Sequence, residues 1–210
     1  MILKVFPSGP LNTNAYFIMC EETKEAILID PSPSSSLPLT KVIQELQAKP
    51  VGIFLTHSHW DHVADVKILK TRFQIPVSVH PEDREQLEKP GSDGLPLFFP
   101  IDAVISDHDL QEGELICFGT QAFRVIHTPG HSPGGVVFYF EKEKILISGD
   151  TLFKGSIGKV CFPSSQPEKM WESLKKLAKL PSDTKVYPGH GPSTTIKAEN
   201  WLSNAEEIFG

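Results

Sequence analysis

The chain has 210 residues, 40% of them hydrophobic and 22% charged, and 20 Lys+Arg against 26 Asp+Glu leave a formal charge of −6. That length is one domain's worth of polypeptide, 1–210, with material for a substantial core, and the acidic balance excludes a broad electrostatic grip on nucleic acid or an anionic membrane surface. No apolar run reaches the roughly 18 residues that cross a bilayer, and Cys20, Cys117 and Cys161 lie too far apart for a disulfide scaffold or a thiolate zinc knuckle.

Leu3–Phe6, Tyr16–Cys20 and Ala26–Asp30 read as strands separated by Pro, Gly and Asn, and 31–36 as a loop. Val42, Ile43 and Leu46 predict an amphipathic helix over 40–48, ending near Pro50. A buried strand over 51–55 is followed by a polar turn, 56–61, and a helix over 63–73 through Val66, Leu69 and Phe73. Val77–Val79 is strand-like, 81–88 a short acidic helix, and 90–100 a Gly/Pro-rich surface loop. Its Leu97, Phe98 and Phe99 are candidates for a mobile apolar wall, with core packing as the alternative. A second series of strands follows at 103–105, 115–118, 122–126, 136–140 and 145–148. A helix over 167–179 with Met170, Trp171, Leu174 and Leu177 on one side, a strand at 185–187 and a helix over 196–208 complete the order. Two sheets packed face to face with helices outside bury both strand sets. The opening Met1–Pro7 lacks the layout of a secretory signal, so the expectation is a cytoplasmic protein, monomeric or weakly self-associating.

The chemistry is concentrated in Thr56-His57-Ser58-His59-Trp60-Asp61-His62, three imidazoles and a carboxylate within six positions. Such ligands suit Zn(II), Fe(II) or Mn(II). On an extended segment i and i+2 point the same way, so His57 and His59 can hold one ion. A turn into the following helix then redirects Asp61 and His62 toward a neighbouring point. Three further candidates stand at glycine-preceded turns after apolar stretches: His131 in TPGHSPG, Asp150 in SGDTLF and His190 in YPGHGP. Together they make seven ligands, five imidazoles and two carboxylates, a number that suits two ions with a bridging carboxylate. His127 is expected to pack beneath these loops, His108 to be a solvated loop residue, and Cys161 to act as a small hydrophobe or idle thiol. Lys175, Lys176 and Lys179 read as the wet face of a helix.

At these residues the chain resembles the metallo-β-lactamase superfamily, specifically its glyoxalase II-like (hydroxyacylglutathione hydrolase-like) members. The likeness rests on Leu11-Asn12-Thr13-Asn14-Ala15-Tyr16, the HxHxDH string, and the TPGH, GDTLF and PGHG segments in family order, and spans nearly the whole chain. It implies an α+β, four-layer αββα sandwich of two mixed sheets with the site at one edge. It also implies a first metal on His57, His59 and His131, a second on Asp61, His62 and His190, and Asp150 between them. Two divalent ions, zinc first and iron or manganese as alternatives, would ionise a shared water against a polarised carbonyl. Asp61 would orient that nucleophile, or accept its proton if the second metal site were empty. A thiolate of pKa near 8.5 leaves without strong acid help, so the implied substrate is a small thioester such as S-lactoylglutathione, or an ester. Lys159 falls where the family binds a glutathione carboxylate. Cys161, Pro192 and the end of the chain after Ile208, without a C-terminal helical domain, depart from glutathione-specific members. Competing readings are a mononuclear Fe(II) persulfide dioxygenase using His57, His131 and Asp150, a lactonase on the same frame, and a metal-stabilised domain without turnover.

Overall fold

A computed structural model describes residues 1–210. The first sheet is formed by β1 (Ile2–Ser8), β2 (Thr13–Met19), β3 (Glu25–Ile29), β4 (Lys49–Phe54), β5 (Val77–Val79) and β6 (His108–Asp109), in that order. Its first three strands run antiparallel and the rest parallel. The second sheet joins β7 (Leu115–Phe118), β8 (Gln121–His127), β9 (Val136–Phe140), β10 (Ile145–Gly149), β13 (Lys185–Pro188) and β14 (Thr194–Thr195), with only β10 and β13 parallel. A small hairpin, β11 (Leu152–Phe153) and β12 (Ser156–Ile157), leaves the end of β10.

The period-2 rule of a strand explains why β2 is buried throughout. Tyr16 and Ile18 face the other sheet, meeting Phe123, Val125, Phe138 and Phe140 in the central core. Ala15, Phe17 and Met19 face the opposite way, toward α1 (Ser36–Glu45), α2 (Trp60–Val63), α3 (Val66–Phe73) and α4 (Arg84–Glu88). On the far side Val137, Tyr139, Leu146 and Val186 pack against α5 (Pro167–Leu177) and α6 (Ala205–Phe209). The predicted Met170, Trp171, Leu174 and Leu177 are the buried stripe of α5, each worth about 1.5–3 kcal/mol. Four layers result, helix–sheet–sheet–helix, as expected from the sequence. No helix is long and apolar enough to cross a membrane.

Several expected boundaries move. α1 starts at Ser36 rather than Thr40, because Pro38 sits in the first turn, where no N–H is required, and it ends at Glu45 before Gln47 turns left-handed at φ 51°. Pro50 lies inside β4, not beyond a helix, and the ladder with β3 slips between Ala26 and Ile27 beside it. The predicted helix 63–73 is two helices broken at Asp65, whose N–H donates to Pro31 O and whose Oδ2 accepts from Ser36 N. No strand forms at 103–105: Val104 is buried and donates to Leu87 O, while β6 takes the edge beside β5. The expected helix 196–208 is instead a turn, a 3-10 segment (Leu202–Asn204) and α6. Its start is diverted because Ile196 N donates to Thr184 O.

Candidate metal centre

Four loops leave the same edge of the two sheets: after β4 (55–59), after β8 (128–135), after β10 (150–151) and after β13 (189–191). They bring together all seven residues singled out in the sequence. His57, His59 and His131 form one set, and Asp61, His62 and His190 another, with the ligand atoms of each set within 4.8 Å of one another. His57, His62 and Asp150 form a third set that joins the two. Asp150 Oδ1 lies 3.4 Å from His62 Nε2, and its Oδ2 lies 3.5 Å from His131 Nε2 and 3.4 Å from His190 Nε2.

The breaking of the predicted helix matters here. His59 is extended (φ −61°, ψ 146°), so His57 and His59 point together, and the single turn of α2 swings Asp61 and His62 to the second set. Outer partners fix which imidazole nitrogen faces inward. His131 Nδ1 donates to Lys159 O (2.8 Å) and His190 Nδ1 to Leu11 O (3.1 Å). His62 Nδ1 donates to Asp30 Oδ2 (3.0 Å). His57 Nδ1 faces Thr56 Oγ1 (3.2 Å), itself a donor to Asp30 (2.6 Å). Such hydrogen bonds hold metal-ligating histidines in one tautomer and orientation.

The residues fit a metal. Nε2 of His57, Nε2 of His62 and Oδ1 of Asp150 are buried without any hydrogen-bond partner, while His59 Nδ1 and His131 Nε2 face each other at 2.8 Å. Buried polar atoms left unpaired cost free energy that a shared cation would recover. The electrostatics divide the two sets. Burial and the neighbouring imidazoles push His57 well below the usual histidine range and His59 down to about 3, so both are neutral donors. Burial also disfavours charge on His62 and His190, yet the carboxylates of Asp61 and Asp150 outweigh it. They raise His62 well above its usual range and His190 to about 9. For Asp61 burial opposes ionisation, but the charge of His62 and the contact with His190 hold it at about 2.

Residues outside the seven candidate ligands complete the frame. Asp30, fully buried at the end of β3, accepts from His62, Thr56 N and Thr56 Oγ1. Thr13 Oγ1 donates to Asp61 Oδ2 at 2.7 Å. Asn14 Nδ2 and Tyr16 OH both donate to Pro188 O and so fasten β2 to the turn carrying His190. Asp83, also fully buried, accepts from Ser58 N through Oδ2 (3.0 Å) and Gly134 N through Oδ1 (2.6 Å), clamping two ligand loops together.

A cleft of about 400 Å³ opens onto the ligands. Its walls are Leu11, Trp60, Leu95, Phe153, Ile157 and Phe162, with Ser156 and Lys159 the polar residues beside the ligands themselves. Lys159 is exposed at this cleft. Phe98 and Phe99 lie 5.4 and 5.5 Å from the Trp60 ring, and Phe98 is 73% exposed, so this segment clads the site rather than the core. His127 packs, as expected, stacked on His80 at 4.0 Å. His108 lies in β6 rather than in a loop, with Nε2 2.7 Å from Glu114. Cys161 is exposed, so it is no buried hydrophobe: the chain there runs along the cleft rim beside Phe162.

This fold and this His/Asp cluster are those of a metallo-hydrolase, and the family model described as the metallo-beta-lactamase superfamily matches residues 8–190. The chain belongs to the metallo-beta-lactamase superfamily. Among curated proteins it is 31% identical to "Probable metallo-hydrolase YqgX" of Bacillus subtilis (strain 168), over 92% of each chain. It is 34% identical to the hydroxyacylglutathione hydrolase GloC of Haemophilus influenzae, over 95% of each. Among solved structures it is similar to the BLEG-1 B3 metallo-beta-lactamase (39% identity, TM-score 0.87, 94% of this chain and 96% of that one). It is likewise similar to TTHA1623 in a di-iron-bound form (38%, TM-score 0.81, 94% and 96%).

Proposed function

We propose that the chain is a dinuclear metal-dependent hydrolase acting on a small thioester, with His57, His59 and His131 holding one ion and Asp61, His62 and His190 the other. Asp150 stands between the two. The observation that carries this reading is the pair of three-ligand sets sharing one carboxylate. Divalent ions bound there would supply Lewis acidity and an ionised water as nucleophile. Asp61, steadied by Thr13, would orient that water, or take its proton if the second site were empty. Lys159 offers a cation for an anionic group of the substrate. The apolar walls keep bulk water from the reacting carbonyl. A thiolate leaving group, with a pKa near ~8.5, asks for no strong acid, and the walls hold none. The likeness to GloC supports a thioester such as S-lactoylglutathione, and the likeness to a di-iron protein keeps iron beside zinc and manganese.

Reconstitution with zinc, iron or manganese followed by thiol release from S-lactoylglutathione tests the proposal. Two ions per chain and steady release are the expected result. One iron per chain, with oxygen uptake on glutathione persulfide and no thioester turnover, would replace it with the dioxygenase reading.

Metal uptake carries a second expectation. The imidazoles of the first set are neutral at pH 7, so the ion there displaces no proton from them. His190, at about 9, and His62 must each give up a proton when an ion binds. Affinity of the second ion is therefore expected to rise at least about tenfold per pH unit up to pH about 9, while the first changes little between pH 6 and 8. Chelator-competition titrations at three pH values would show this, and parallel pH slopes for both ions would contradict it.

A further inference from the structure

We infer that the acyl group this cleft accepts best is longer than a lactoyl-sized group, an unbranched aliphatic chain of medium length; this rests on the thioester reading above. Apart from the ligands, the cleft offers six apolar side chains and only two polar ones, Ser156 and Lys159. Lys159 carries a charge suited to an anionic group. The Ser156 hydroxyl already leans toward Ile157 O at 3.5 Å. A hydroxyl at the far end of the acyl chain, away from the ligands, would exchange water for walls that return few hydrogen bonds, which costs binding.

Methylenes meet the opposite situation. Trp60 is 7% exposed, and Phe98 and Phe99 pack on its ring, so its position in the wall is fixed before any substrate arrives. Leu95 continues that wall from the same loop, while Phe162 stands 5.5 Å from the His59 ring and Phe153 6.0 Å from the His190 ring. Apolar surface therefore flanks both ligand sets, and a volume of about 400 Å³ leaves room beyond a two- or three-carbon acyl group.

The test uses the metal-loaded chain with glutathione thioesters of acetyl, butyryl, hexanoyl and 6-hydroxyhexanoyl groups. In parallel, calorimetry follows binding of S-methyl, S-butyl and S-hexyl glutathione, which cannot be hydrolysed. Both kcat/KM and affinity are expected to rise about fourfold per added methylene, and 6-hydroxyhexanoyl to fall below hexanoyl. Leu95→Ser is expected to cut that increment to below about twofold, and Trp60→Ala to do the same if it folds. Hydrolysis with a flat chain-length profile, or faster turnover of the hydroxylated chain, overturns the inference and leaves the hydrolase reading standing. Alkyl ethers that bind with the rising series while every thioester stays intact would overturn the hydrolase reading and leave the apolar cleft standing.

Discussion

Gly189→Ala is expected to strip metal from the centre although it removes no ligand. A Cβ at this position would overlap Asp150 Oδ1 and come within 2.8 Å of His62 Cε1. The backbone has no room to retreat, because Gly189 N donates to Gly149 O at 2.7 Å and Gly189 O accepts from Asn14 N at 2.7 Å. The added methyl must then displace the Asp150 carboxylate and the His62 ring together. A shift on the order of 1 Å costs roughly a hundredfold in rate in positioned active sites, so hydrolysis should fall by at least that factor. Elemental content after dialysis should drop from two ions per chain to one or fewer, with circular dichroism showing the fold retained. Full metal content with undiminished turnover would refute the tight packing described between β10 and β13.

Asp150→Asn carries the second large effect. The amide keeps the volume but loses the charge that faces His62, His131 and His190. That charge is among the causes that lift His62 and His190, so both should titrate lower in the variant. Loss of the shared ligand should reduce metal content to one ion or fewer. The affinity loss should exceed the ~10–100-fold that follows from removing a partner behind a ligand. Asp30→Asn supplies that comparison, since Asp30 touches His62 only through Nδ1. If the two variants lose metal equally, Asp150 does not bridge.

The seven candidate ligands were legible in the sequence because each carries its own chemistry, four crowded after one strand and three at glycine-marked turns. Asp30 was not, since its value comes from β3 lying beside β4, which places it against His62 thirty-two residues later. Asp83 escaped for a related reason: what it binds are the backbone N–H groups of Ser58 and Gly134, which leave no trace in residue type. The layers were legible from alternation and helical spacing, whereas the break at Asp65 was not. That break comes from contacts with Pro31 on a preceding loop and Ser36 at the start of α1, a tertiary influence that overrides the local periodicity of 63–73. The exposed Leu97–Phe98 segment shows the limit of reading hydrophobicity as core, since its partner is Trp60 beside the ligands.

Each ligand set draws from both sheets: His57 and His59 with His131, and Asp61 and His62 with His190. No three-ligand set comes from one half of the molecule alone, so an ion held there would act as a rivet across the seam that the central core already closes. At a free ion concentration a thousand times its dissociation constant, each rivet would add about 4 kcal/mol against unfolding. Metal starvation in a cell would accordingly do more than silence the protein, because it would narrow the margin by which the docked sheets resist unfolding and proteolysis.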